Sequence, residues 1–476
     1  MANGMQHLRR EVYPGRPRRA GAALRRSKAR RLRLFPVPVV CDRGVAEDST
    51  SGGGPPSRQG RSLFYGWWIV IAGSALQLLH SALLGQAYGA YVVLLREDFG
   101  WSKTMLSAAS SLREAENGIM GPVQGWLLDR FGPRAVARAG VVILGVGFML
   151  FSRVNSPPTF FAAFFVIAVG ASLAGYLTVT FAAVHWFERR RATAIALTSS
   201  GFALGGMAVP ITVLVLDLAG WRTTAVLSGL VVLAVGLPLT QVLRHHPHEM
   251  GLRPDGDPPR ATMREVEDGK PPLVFPPAPD FTLREALHEP SFWWVSLGHA
   301  SALFTVSAMS VHLVSHLTQS QGYTLGQASV VVFFMTMLFL AGTLSGGVVG
   351  DRVSKRGLVV VCMGMHAAGL LFLAHAVNTW MIAAFTLLHG LAWGWRGPQM
   401  AALRADYFGR ASFGKIMGVS NMVILLGTIS GPLIAGYVYD RTGDYRIGFD
   451  ILAGIALSGS IFFILARKPS PPARTA

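Results

Sequence analysis

Arg396 stands inside an apolar run, in the stretch Trp393-Gly-Trp395-Arg396-Gly-Pro398-Gln399. A guanidinium presents a planar fork of donors that matches a carboxylate, and Trp395 and Gln399 would frame such a ligand. Pro398 lacks an N–H and loosens the ladder near Gly394, so a helix here can bend. Arg113, Glu114 and Glu116 form a second charged group inside another apolar run. At helical spacing Arg113 and Glu116 share a face with Asn117 and can neutralise each other. Glu114 points about 100° away, which makes it the better proton carrier of the two carboxylates. Arg396 has two open readings: it binds an anionic solute, or it pairs with Glu114 or Glu116.

Other polar groups recur in apolar surroundings. One run holds Gln77, His80, Gln86, Tyr88 and Tyr91; another holds His299, Ser307, Ser310 and His312. Imidazole titrates near physiological pH, which suits His80 and His312 to proton coupling. His299, His366 and His375 read as hydrogen-bonded packing residues. His245, His246 and His248 sit in a polar stretch with no Cys nearby and no carboxylate at ligand spacing, so no metal is expected.

The elements that position these groups follow from composition. Of 476 residues, 51% are hydrophobic and 14% charged, and 54 are glycine. A soluble domain carries roughly a quarter charged residues. An ionisable group at the centre of a membrane helix costs about 2.5–3.5 kcal/mol or more, so each is a functional candidate. Runs long enough to cross a core about 30 Å thick occur near 66–94, 104–128, 135–153, 158–186, 193–217, 222–243, 291–318, 325–350, 357–377, 380–405, 412–438 and 446–467. The expectation is an all-α integral membrane protein with twelve transmembrane helices in two six-helix halves, at 62–243 and 291–468. A basic tail over 1–61 reads as disordered, 244–290 as a linker and 469–476 as a second tail. The linker holds ten prolines, and Thr282-Leu-Arg-Glu285 has capping-box spacing, which predicts a short helix there.

The net charge of +18 does not point to nucleic acid. Residues 1–61 hold 14 Lys or Arg against 4 Asp or Glu, and the remaining excess is scattered among short loops. Cations gather after even-numbered spans: Arg130, Arg134 and Arg138; Arg189, Arg190 and Arg191; Arg352, Lys355 and Arg356; Arg410 and Lys415. The positive-inside rule then puts both termini in the cytoplasm, with the chain in a plasma or inner membrane. Cys41 and Cys362 imply no disulfide framework.

Two motifs repeat at about half the chain length. Gly125-x-x-x-Asp129-Arg130-x-x-x-Arg134 returns 222 residues later as Gly347-x-x-x-Asp351-Arg352-x-x-Lys355-Arg356. Trp186-Phe187-x-Arg189 returns 221 residues later as Tyr407-Phe408-x-Arg410. A duplicated chain with apolar spans between the repeats is most simply a membrane transporter. There is no Gly-rich phosphate loop, metal-ligand cluster or nucleophile elbow, so neither enzymatic activity nor a cofactor is expected.

From Tyr65 to Lys468 the chain resembles the major facilitator superfamily. The loop Gly125…Asp129-Arg130-Phe131-Gly132-Pro133-Arg134 and its second copy carry the resemblance, although Ser354 replaces Gly132 in that copy. Phe64-Tyr65-Gly66-Trp67-Trp68, Trp186-Phe187 with Arg189-Arg190-Arg191-Ala192, and Gly431-Pro432…Gly436…Asp440…Gly443…Tyr445 are similar to the oxalate–formate exchanger and monocarboxylate porter branch. The resemblance implies alternating access by two rocking halves. It gives Asp129 a gating role against the start of span 11, near Ser412 to Lys415, and Asp351 the same role at span 5, near Arg191 and Ala192. Arg130, Arg134, Arg352 and Arg356 belong to these gates. It also implies that spans 1, 4, 7 and 10 line the cavity, so that His80, Tyr176, His312 and Arg396 converge. That branch usually carries a charge in span 8, which is missing from 325–350 here, so anion binding would fall to Arg396 or Arg113.

The expected function is a secondary active transporter, monomeric in the lipid bilayer. Its substrate is a small, carboxylate-like organic solute, moved by symport or exchange with a proton or other ion. Substrate contacts are expected from Arg396, His80, Tyr176, His312, Trp395 and Gln399, and proton coupling from Glu114, Glu116 and Arg113. Export of amphipathic compounds, favoured by Trp393, Trp395, Tyr88 and Phe304 if they line the cavity, is the alternative. A sensor that keeps the fold without transport ranks lower.

Overall fold

The computed structural model describes residues 63–85, 87–257 and 280–472. The tail expected over 1–61, Gln86, the middle of the linker and the last four residues lie outside the described residues. All regular structure among the described residues is helical. The first part of the chain forms α1 (Tyr65–His80) with a π-turn at Ser81–Gly85, α2 (Tyr88–Phe99), α3 (Lys103–Phe151), α4 (Pro157–Ala174), α5 (Tyr176–Trp186), α6 (Arg191–Met207), α7 (Val209–Val231) and α8 (Leu237–Val242). The second part forms α9 (Leu283–His288), α10 (Pro290–Gln319), α11 (Leu325–Arg352), α12 (Lys355–Ala374), α13 (Thr379–Phe408), α14 (Phe413–Thr442) and α15 (Arg446–Leu465).

Local sequence sets where these helices begin. Ser102 accepts the Met105 N–H at 3.2 Å and caps α3. Asn378 caps α13 in the same way, and Thr324 with Gln327 forms a reciprocal capping box at α11. Thr282 and Glu285 do the same at α9, where the sequence spacing predicts it. Proline in the first turn opens α4 and α10, where its missing N–H has no partner to lose.

Two helices are broken by a glycine at positive φ: Gly132 at 75° in α3 and Gly220 at 73° in α7. Each glycine turns one continuous run into two arms. Ser354 takes the place of Gly132 in the second loop, and the backbone differs accordingly. It sits at φ −60° and caps α12 by accepting the Gly357 N–H, so no left-handed residue is required. Nine helical stretches among the described residues are long and apolar enough to cross a membrane. The expected twelve counts both arms of the two broken stretches, together with α13. The polar residues of α13, Arg396 and His389 among them, keep it out of the nine.

Apolar side chains pack into two main clusters, one built from α1 to α7 and one from α9 to α15. Ala401, Ala402, Ala405, Phe413 and Met417 join the first cluster from the second part of the chain. Contact between the parts runs mainly along α3 with α14 and along α6 with α11. Trp68, Leu218, Val377, Trp380 and Leu433 are exposed, a distribution that suits lipid and not water.

Candidate functional site

The duplicated aspartates meet helix starts that lack caps of their own. Ser412 precedes α14 without a side-chain cap, and Arg190 precedes α6 likewise. The Asp129 carboxylate of α3 accepts the Gly414 and Lys415 N–H groups of α14 at 3.0 and 3.2 Å. Asp351 of α11 accepts the Ala192 and Thr193 N–H groups of α6 at 2.8 and 3.0 Å. Each helix thus receives its N-terminal anion from the other part of the chain, where the macrodipole favours negative charge. Glycine makes this approach possible. A Cβ at Gly125 would run into the Gly414 backbone, and one at Gly418 into that of Gly121.

Further charges cross between the two parts at the same end of the bundle. Asp406 of α13 pairs with Arg191 of α6 and with Lys355 at 2.9 Å. Arg410 pairs with Glu188 at 2.7 Å. The described ends of the linker contribute as well. Asp255 accepts the N–H groups of Glu188, Arg189 and Arg190, and Asp280 accepts those of Arg410 and Ala411. The opposite end differs. Asp98 bonds Trp221 and Arg222 at 2.6 and 3.0 Å, and His375 bonds Asp450 at 3.1 Å, each pair within one part of the chain. Among the described residues, then, the ion pairs between the two parts lie at the loop end.

Of the arginines expected at the gates, Arg134 bonds Gln241, and Arg130 lies over the Trp126 and Phe131 rings at 5.7 and 5.6 Å. Arg356 reaches the Ala466 carbonyl at 3.4 Å, and Arg352 is exposed.

Deeper in the bundle, Arg396 is 1% exposed, and its Nε and Nη1 atoms are buried without a hydrogen bond. It makes no ion pair with Glu114 or Glu116, which removes the structural pairing left open by the sequence. Arg404, two turns further along α13, is equally buried. Its guanidinium donates to Ser420 at 2.7 and 3.1 Å and to the Met400 carbonyl at 2.8 Å, and meets His299 Nδ1 at 3.3 Å. Neither arginine has a carboxylate partner among the described residues. Tyr176, at the start of α5 after the break at Gly175, lies within the electrostatic reach of both. Gln399 donates to the Gly346 carbonyl at 2.8 Å and holds α13 to α11, while its Oε1 is buried without a partner.

Several sequence expectations are corrected. Arg113 does not neutralise Glu116; it bonds its chain neighbour Glu114 at 2.8 Å. Both Glu116 oxygens are buried without a partner, so the unpaired carboxylate is Glu116 and not Glu114. Helical spacing permits a pair but does not choose it: Glu116 turns into the packed interface, and the half-exposed Arg113 folds toward Glu114. His312 does not join Arg396. Its ring bonds the Pro432 carbonyl at 2.9 Å and the Tyr445 hydroxyl at 3.3 Å, so it packs α10 against α14. Trp395 donates to Ser345 of α11 at 2.9 Å, and Trp393 packs on Phe339, so both rings face α11. His80 keeps a buried, unpartnered Nε2 at the end of α1, within reach of the Arg113 field.

Sequence reading missed Arg404, although an ionisable residue in the predicted span 380–405 was signal enough. It also missed Asp406, Asp255 and Asp280, whose partners lie far away in the chain.

The family model for the Major Facilitator Superfamily matches residues 73–376 and 295–476. A protein named "Probable sulfoacetate transporter" from Cupriavidus necator is 25% identical over 78% of this chain and 87% of its own length. Monocarboxylate transporter 11 from Homo sapiens is 26% identical over 92% of this chain and 88% of its own. The crystal structure of the E. coli fucose:proton symporter superposes with a TM-score of 0.64 at 15% identity, covering 85% of this chain and 100% of that one. Built as two fastened sets of membrane helices and matched over most of its length, the chain belongs to the Major Facilitator Superfamily of membrane transporters.

Proposed function

We propose that this transporter moves a small organic anion, carboxylate- or sulfonate-like, with proton coupling and by alternating access. The observation that carries this reading is Arg396, which is buried with two nitrogens free of hydrogen bonds and has no carboxylate partner among the described residues. A buried cation without a counter-ion is costly, and an anionic substrate would supply the missing charge. The names of the sulfoacetate and monocarboxylate transporters are consistent with a substrate of that class. Glu116 is the proposed proton carrier, being buried with neither a cation nor a hydrogen bond. Asp129 and Asp351 are the proposed latches of the cytoplasmic gate, with Arg130, Arg134, Arg352 and Arg356 around them and both termini on that side. Of the four aromatic side chains that would favour export of larger amphipathic compounds, Trp393 and Trp395 are committed to α11, Tyr88 donates to the Leu106 carbonyl at 2.6 Å, and Phe304 is buried.

The test is uptake by purified protein in proteoliposomes, using short-chain carboxylates and sulfonates with and without an inward pH gradient. Saturable accumulation of at least one anion, enhanced by the gradient and lost in Arg396→Ala, is the expected result. Transport of neutral amphipathic compounds alone would overturn the reading.

A further inference from the structure

His185, His245 and His246 come together although 60 residues separate the first from the others. Each offers a ring nitrogen, and these atoms lie within 4.8 Å of one another. His185 is buried at the end of α5, and the other two lie just past α8, half-buried. The His185 ring is already set in one tautomer. Its Nδ1 sits 2.9 Å from the Phe181 carbonyl, and because a carbonyl only accepts, Nδ1 carries the hydrogen and Nε2 presents a lone pair. A backbone carbonyl holding the far nitrogen is the usual support of a metal-bound histidine.

The internal repeat sharpens the contrast. His185 precedes Trp186 as Asp406 precedes Tyr407. In the second copy that position is a carboxylate holding two cations, Arg191 and Lys355. In the first copy it is an imidazole facing two more imidazoles, with ring centroids 5.5 Å from His245 and 5.0 Å from His246.

We propose that these three histidines form a site for a divalent transition metal of the zinc or nickel type, joining the end of α5 to the segment after α8. Imidazole nitrogens bind such ions at about 2.0–2.1 Å, and three of them leave a fourth position for water or a carboxylate. Glu249 is the neighbouring carboxylate; its Oε1 accepts the backbone N–H of His246 at 3.3 Å. His245 and His246 stack at 3.9 Å and 20°, so binding requires one ring to turn until both lone pairs converge. Arg134, Arg138 and Arg244 stand nearby, and Arg410 reaches the His185 carbonyl at 3.4 Å. This positive surround opposes a bare dication and favours an anionic fourth ligand.

The experiment uses the full chain, purified in detergent with a histidine-free tag, and Zn2+ alone as the probe. Equilibrium dialysis with elemental analysis should give one zinc per chain, and Co2+ substitution should give the visible bands of a tetrahedral site. His246→Ala and His185→Gln should each weaken binding by about tenfold or more, at least the loss that removing a mere supporting group costs. His288→Ala, at an exposed position, should bind like the wild type. If His185→Gln does not fold, His246→Ala decides alone. Absence of bound zinc in the wild type, or unchanged binding in His246→Ala, would overturn the proposal.

Discussion

At the scale of single residues, the site depends on which charges have partners. Arg396 keeps two donors free in a buried place, whereas Arg404 spends its donors on Ser420 and Met400. Arg396→Lys should therefore raise the KM for the anion about tenfold or more, because a point charge replaces a fork that binds two oxygens. Arg404→Lys should act chiefly on stability, read as a lower Tm in detergent. Glu116→Gln should abolish gradient-driven accumulation while leaving substrate counterflow intact; unchanged accumulation would assign coupling to another group. Here the sequence was informative about residue type and silent about choice. The ionisable residues of the apolar runs could be picked out by composition, because burying them is costly. That Arg113 would turn to Glu114, and that His185 would meet the linker histidines, depends on packing between distant segments and leaves no local pattern.

At the scale of elements, α6 and α14 are helices whose N-terminal caps come from elsewhere. Replacing Asp129 by Asn removes the negative charge at the α14 N-terminus and one of its two acceptor oxygens, an effect of about 1 kcal/mol, and should open the α3–α14 seam about fivefold more often. Alkylation of a cysteine introduced at Met417, which is 1% exposed at that seam, in a background without Cys41 and Cys362 would report it. An unchanged labelling rate would remove Asp129 from the gate. Gly414→Val should have the larger effect, because the new side chain would meet the Gly125 backbone and hold the seam apart. The helices themselves were legible from apolar run length, and the α9 start from its capping box. The caps of α6 and α14 were legible only through the family resemblance, since no neighbour in the chain provides them.

At the scale of the whole molecule, the two proposed latches would act on one equilibrium while sharing no partner. Their effects should add as free energies, so the Asp129→Asn/Asp351→Asn double variant should shift the population by about the product of the single shifts, near 25-fold. A double variant no stronger than either single one would mean that one latch does nothing. The seam beside Asp129 has a thermal consequence. Where Gly125 meets Gly414, and Gly121 meets Gly418, the touching surfaces are peptide backbone with no side chain between them. Parting them wets amide groups and little hydrocarbon. Apolar exposure raises heat capacity and polar exposure lowers it, so this part of the opening carries little heat-capacity change, and its closed–open equilibrium should follow a straight van 't Hoff line as the membrane warms or cools.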